Sequence, residues 1–92
     1  MSQMDQQSYR KKIQYLIARR ATLELENLLG DFWRNHGNAV TDAELPDLER
    51  ILVMEDLDLL EIILGKRPVP TGYNPKLMRL ITEARPARGH FE

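Results

Sequence analysis

Apolar residues recur along this chain at helical rather than strand spacing, and the stretches between them carry the punctuation of helix ends. Tyr9, Ile13, Leu16 and Ile17 fall on one face after Ser8, which reads as an N-cap, with Arg10, Lys11 and Lys12 turned outward. Leu25, Leu28, Leu29, Phe32 and Trp33 then repeat at i, i+3, i+4, i+7 and i+8, the clearest stripe in the chain, and it ends by His36-Gly37-Asn38. Nothing from Arg19 to Thr22 must break a helix, so the first two helices are either continuous or bent there.

Thr41-Asp42-Ala43-Glu44 has capping-box spacing and starts a third helix. Pro46 removes a backbone donor, which a start nearer Glu44 would place harmlessly in the first turn. Leu45, Leu48, Ile51 and Leu52 form its inner face. Asp56 reads as the cap of a fourth helix carrying Leu59, Leu60, Ile63 and Leu64, with Gly65 as its terminator. Pro68, Pro70 and Gly72 make the next segment a loop. Asn74-Pro75 opens a fifth helix with Leu77, Leu80, Ile81 and Ala84, limited by Pro86. No segment shows strand alternation. The pattern predicts an all-α fold, a single compact five-helix bundle over residues 1–85, followed by a flexible C-terminal tail at 86–92.

Composition narrows what such a bundle does. Its 92 residues fit one domain with a thin core, and 42% apolar with 29% charged is a globular balance. Thirteen basic residues against fourteen acidic leave a net charge of -1, so no global field gathers nucleic acid or anionic membrane. The absence of cysteine excludes disulfides, thiolate metal sites and cysteine nucleophiles, and fits a reducing compartment, with the cytoplasm as the expectation. The longest apolar runs fall far short of the roughly twenty residues that span a bilayer. The polar stretch Met1 to Gln7 has the character of neither a secretory signal nor a transit peptide, and reads as a mature N-terminus.

Candidate chemistry is sparse. His36 and His90 each lack a second histidine at metal-binding spacing, and there is no glycine-rich phosphate loop, nucleophile elbow or dinucleotide fingerprint. No metal site and no cofactor bound by the chain itself are therefore expected. Glu55, Asp56, Asp58 and Glu61 form an acidic group, but it lacks the glycine and closing glutamate of a calcium loop, and apolar residues interrupt it. It reads as a helix cap plus solvated face, open to recruitment by a partner. Trp33 is either core or interface anchor. Arg20 and Glu24, at i and i+4, share a face if the helix is continuous, and spacing alone makes them an ordinary exposed ion pair worth a few tenths of a kcal/mol.

The segment Arg20-Ala21-Thr22-Leu23-Glu24-Leu25-Glu26 nevertheless resembles the signature of the succinate dehydrogenase assembly factors that promote covalent flavin attachment, Arg-Gly-x-x-Glu followed by leucine and an acidic residue. The similarity continues through Phe32, the capping box, Glu55-Asp56-Leu57-Asp58-Leu59 and Gly65-x-x-Pro68, and spans Ile17 to Ile81. It implies a helical chaperone that binds the flavoprotein subunit of succinate dehydrogenase, or of fumarate reductase, while the client carries the FAD and links it to its own histidine. On that resemblance the partner-binding residues are Arg19, Arg20, Ala21, Glu24, Asp56 and Asp58, there are no catalytic residues, and the free protein is a monomer. Arg20 would reach client carboxylates or carbonyls, and Glu24 would accept from client donors or orient Arg20.

Two positions depart from the family pattern: Ala21 replaces the glycine, with a gain in helix propensity expected, and Ile62 stands where relatives often carry tryptophan. An antitoxin-like or generic helical adaptor for another partner is the alternative that the fold class leaves open. An enzyme would need a perturbed acid or base between Glu55 and Glu61.

Overall fold

The structure, a computed structural model, describes residues 6–83; the expected tail, Ala84, Pro86 and His90 lie outside the described residues. The chain runs through five α-helices, α1 (Gln6–Ala18), α2 (Leu23–His36), α3 (Leu45–Leu52), α4 (Asp56–Ile63) and α5 (Pro75–Glu83). Single 3₁₀ turns at Gly37–Ala39 and Asp42–Glu44 join α2 to α3. No strand occurs among the described residues. The all-α bundle expected from the apolar spacing is the fold observed.

The helix ends show why the chain divides where it does. Asn74 Oδ1 accepts from the N–H groups of Lys76 and Leu77 at 3.0 and 3.3 Å, the cap that the Asn-Pro pair announces. After α4, Gly65 takes φ 82°. Its N–H bonds Ile62 O while that of Lys66 bonds Glu61 O at 2.8 Å, the paired closure that a left-handed residue permits. The capping box forms, with Glu44 accepting from the Thr41 N–H at 2.9 Å, but it opens the 3₁₀ turn. Helix α3 proper begins at Leu45, leaving Pro46 in the first turn, where its missing donor costs nothing. Ser8 is inside α1 rather than at its start, because the helix already runs from Gln6.

The core gathers Ile13 and Ile17 of α1, Leu25, Leu28, Leu29 and Phe32 of α2, and the inner leucines and isoleucines of the remaining helices. Helix α1 packs on α2 and α3, while α5 bridges α2, α3 and α4. Among the described residues no polar or charged residue is buried as a whole, although the side chain of Arg20 alone is almost enclosed. Trp33 is half-buried against the core, with the Arg10 guanidinium 5.6 Å from its ring centroid. A Cβ at Gly37 would sit 3.2 Å from the indole, so glycine there lets the chain turn beneath the ring.

Polar contacts clamp α1 to its neighbours. Arg10, expected on the outer face, instead donates to Val40 O at 2.7 Å and Gly37 O at 3.2 Å, and pairs with Asp42. Tyr9 donates its hydroxyl to Glu49 at 2.7 Å, and Lys12 reaches the other Glu49 oxygen at 2.8 Å. Burial and the Glu49 carboxylate push the Tyr9 phenol up to about 12, while Lys12 and then the Tyr9 hydroxyl hold Glu49 below the usual carboxylate range. Because the folded pKa of Tyr9 is raised, its contribution to stability is intact below the ordinary tyrosine value of about 10 and is lost as pH climbs toward 12. An ultraviolet titration should show one tyrosine ionising only near pH 12, and Glu49→Gln should bring that step down. A wild-type titration with no late step would contradict the clamp.

Candidate partner-docking site

Helices α1 and α2 are not continuous. Residues 19–22 leave the helix, and Thr22, extended at φ −116° and ψ 141°, caps α2 by accepting from the Leu25 N–H at 3.2 Å. Glu24 and Glu26 then lie in the first turn of α2, where the helix dipole favours carboxylates. Arg20 and Glu24 therefore sit on opposite sides of a cap and do not share a helical face. A threonine followed by acidic residues and a leucine stripe is compatible with a helix N-terminus, but it does not by itself require the break.

Arg20 closes the turn from inside. Its Nε donates to Leu16 O at 2.9 Å, Nη2 to Leu52 O at 2.5 Å, and Nη1 to Asp56 Oδ1 at 3.0 Å. One guanidinium thus satisfies carbonyls at the C-terminal ends of α1 and α3, where cations are favoured, and pairs with a carboxylate in the first turn of α4, where anions are favoured. Its side chain is 5% exposed, so it is held within the fold rather than presented as a fork of free donors.

Asp56 completes the knot by accepting from the Ala21 N–H through Oδ2 at 2.6 Å. That backbone bond first, then the Arg20 guanidinium and the Arg19 charge, hold its carboxyl below the usual range against the burial that raises it. Asp56 is the first residue of α4 and Glu55 its N-cap, a one-residue correction to the expected cap. Ala21 lies outside any helix and has no left-handed backbone, so the expected gain in helix propensity does not arise and the position does not demand glycine for its conformation. The residue is exposed.

The other expected site residues surround this knot. Arg19 is exposed, its guanidinium 5.6 Å from the ring centroid of exposed Tyr15. Glu24 is exposed and makes no side-chain bond among the described residues. Asp58 turns away to pair with Arg67 at 3.2 Å, as Glu61 does at 2.9 Å. Three members of the acidic group are thus divided between two arginines, Asp56 with Arg20 and Asp58 and Glu61 with Arg67, and no three His, Cys, Asp or Glu side chains converge as a metal site among the described residues.

The sequence pattern passed over three apolar residues. Leu23, Val53 and Leu57 are 70%, 64% and 63% exposed. Leu23 is two residues beyond Ala21, Val53 follows Leu52, and Leu57 follows Asp56, so all three are fastened to the same knot through bonded neighbours. Each stands off its helix's apolar stripe at an element end, which is the signal that could have found them. Single exposed apolar residues are ordinary; these three belong to segments that one hydrogen-bonded knot holds together. Beside them opens a groove of about 250 Å³ between the start of α4 and the loop before α5.

Comparison with known proteins supplies the family context of the chain as a whole. Residues 11–85 match the family described as flavinator of succinate dehydrogenase. The FAD assembly factor SdhE of Acetobacter pasteurianus is 32% identical over 81 residues, covering 87% of this chain and 74% of that protein. The mitochondrial succinate dehydrogenase assembly factor 2 of Dictyostelium discoideum is 32% identical over 72 residues, covering 78% of this chain, which spans about half (51%) of that relative's length. No solved structure matches the chain.

Proposed function

This chain belongs to the family of succinate dehydrogenase flavinators, and from that membership we infer that it binds the flavoprotein subunit of succinate dehydrogenase and promotes covalent attachment of FAD to it. The observation that carries the docking half of this reading is the apolar corner, Leu23, Val53 and Leu57, set around the Arg20–Asp56 knot. Interfaces draw most of their energy from a few desolvated anchors on a rigid support, and the knot supplies that support.

The attachment chemistry belongs to the client and the FAD it carries. The chaperone works by holding the client so that flavin and attacking histidine are aligned, and positioning alone lowers barriers by several kcal/mol. Arg19 and Glu24 provide the polar rim contacts, Ala21 the close backbone approach, and Asp58 the far edge. Arg20 and Asp56 act from within, fixing the turn that presents the others. No helix among the described residues is long and apolar enough to cross a membrane; the cytoplasm is the compartment this reading takes, in line with the bacterial relative. The flavoprotein subunit of fumarate reductase is a second client on the same reading.

The test is to remove the gene and measure in-gel flavin fluorescence of the denatured flavoprotein subunit. The expected result is loss of most covalent flavin, restored by the wild-type gene. Undiminished fluorescence with normal succinate dehydrogenase activity would sink the proposal.

A further inference from the structure

We propose that the groove beside α4 receives a lysine or arginine side chain of the client flavoprotein, its aliphatic stem on the floor and its charge at the acidic rim. The proposal rests on the flavoprotein being the client. The groove is lined by apolar Met54, buried Ile62, Pro68, Pro70 and Tyr73, together with Glu55, Asp58 and Arg67. Arg67 is already held by Asp58 and Glu61 at 3.2 and 2.9 Å, so two carboxylates share one cation, and Glu55 adds a third carboxylate that makes no side-chain bond among the described residues.

Among the lining residues Glu55 and Asp58 stand against Arg67, one net negative charge, while Arg50 is engaged with the Tyr73 ring and Gly72 O; that suits a long cationic side chain that buries its stem and keeps its head at the polar edge. Size agrees: about 250 Å³ lies below the roughly 300–1,000 Å³ of pockets that enclose small molecules, and an open groove of that volume suits one long side chain. The groove is also continuous with the docking corner. Met54 and Glu55 lie in sequence between Val53 on one side and Asp56 and Leu57 on the other, so a client seated on the exposed leucines meets the groove without a gap.

The test uses the full chain and the flavoprotein subunit isolated without covalent FAD, with affinity read by calorimetry or biolayer interferometry. Glu55→Gln removes the unpaired charge and is expected to weaken binding about tenfold and to flatten its dependence on salt. Glu55 makes no capping bond from its side chain, so circular dichroism should not change. Pro68→Lys places a competing cation at the groove and is expected to weaken binding by at least about tenfold. Binding of both variants within twofold of wild type would overturn the groove assignment while leaving the client intact. Failure of the wild-type chain to bind the flavoprotein would overturn the functional reading and this inference with it. A photo-crosslinker replacing Pro68 should capture a client peptide containing lysine or arginine at the linked position; capture of a segment lacking both would overturn the proposal.

Discussion

Arg20→Ala is expected to lower the unfolding free energy of the isolated protein by about 3 kcal/mol, the largest effect of any polar substitution in this chain. Removing one partner of a buried ion pair typically costs about 3–5 kcal/mol because the other charge is left uncompensated. Asp56 is 25% exposed, so water reclaims part of that cost and the lower figure applies. The carbonyls of Leu16 and Leu52 also lose their donor at two helix ends. Arg20→Lys keeps the charge but lacks the planar fork that reaches three acceptors at once, and about half the loss is expected. Urea unfolding followed by circular dichroism checks this, as a falling midpoint at unchanged slope.

The pH dependence gives the same knot a second signature. Asp56 has a lowered folded pKa, so its contribution is fully present above the ordinary carboxylate value of about 4 and is lost as pH falls through the folded value. In Arg20→Ala the Ala21 N–H bond still lowers Asp56 but the guanidinium does not, so the acid-induced loss becomes shallower without vanishing. Glu49, lowered by Lys12 and Tyr9, continues to respond to acid in both proteins. A variant with wild-type midpoint and wild-type acid profile would show that Arg20 is not held within the fold.

How much of this was legible in the sequence depends on how far apart the interacting residues lie. Where a signal is local, it was readable: the α2 stripe, the Asn74-Pro75 start, the Gly65 stop and the capping box all depend on residues within one or two turns of each other. What escaped depends on distant partners. The break at residues 19–22 is stabilised by Asp56, 35 positions from Ala21, and spacing arguments within one helix cannot register that contact. Arg10 looked like an outer-face cation because its acceptors, Gly37 and Val40, lie 27 and 30 residues away, in and just after a 3₁₀ turn that has no strong sequence mark. The resemblance gave Arg20 the role of a donor to the client, whereas its donors run to the chain's own backbone and Asp56.

That division of labour leads to the second large effect, at the apolar corner. Leu23→Asp and Leu57→Asp are each expected to weaken binding of the flavoprotein subunit about thirtyfold, the equivalent of about 2 kcal/mol for losing an interface anchor and desolvating a charge in its place. Neither should unfold the protein. Both side chains are mostly exposed, so no core volume is lost, and both lie in the first turn of a helix, where aspartate interacts favourably with the dipole. Repulsion from Glu24 and Glu26, or from Asp56 and Asp58, offsets that gain, leaving the urea midpoint within about 0.5 kcal/mol of wild type. In cells lacking the native gene, either variant should accumulate normally yet fail to restore covalent flavin. Arg20→Ala and Leu57→Asp would then lose one function by opposite routes, the first through an unfastened turn and a lower midpoint, the second through a disabled contact on an intact bundle. Restoration of flavin by Leu57→Asp, with wild-type affinity, would remove the apolar corner from the interface.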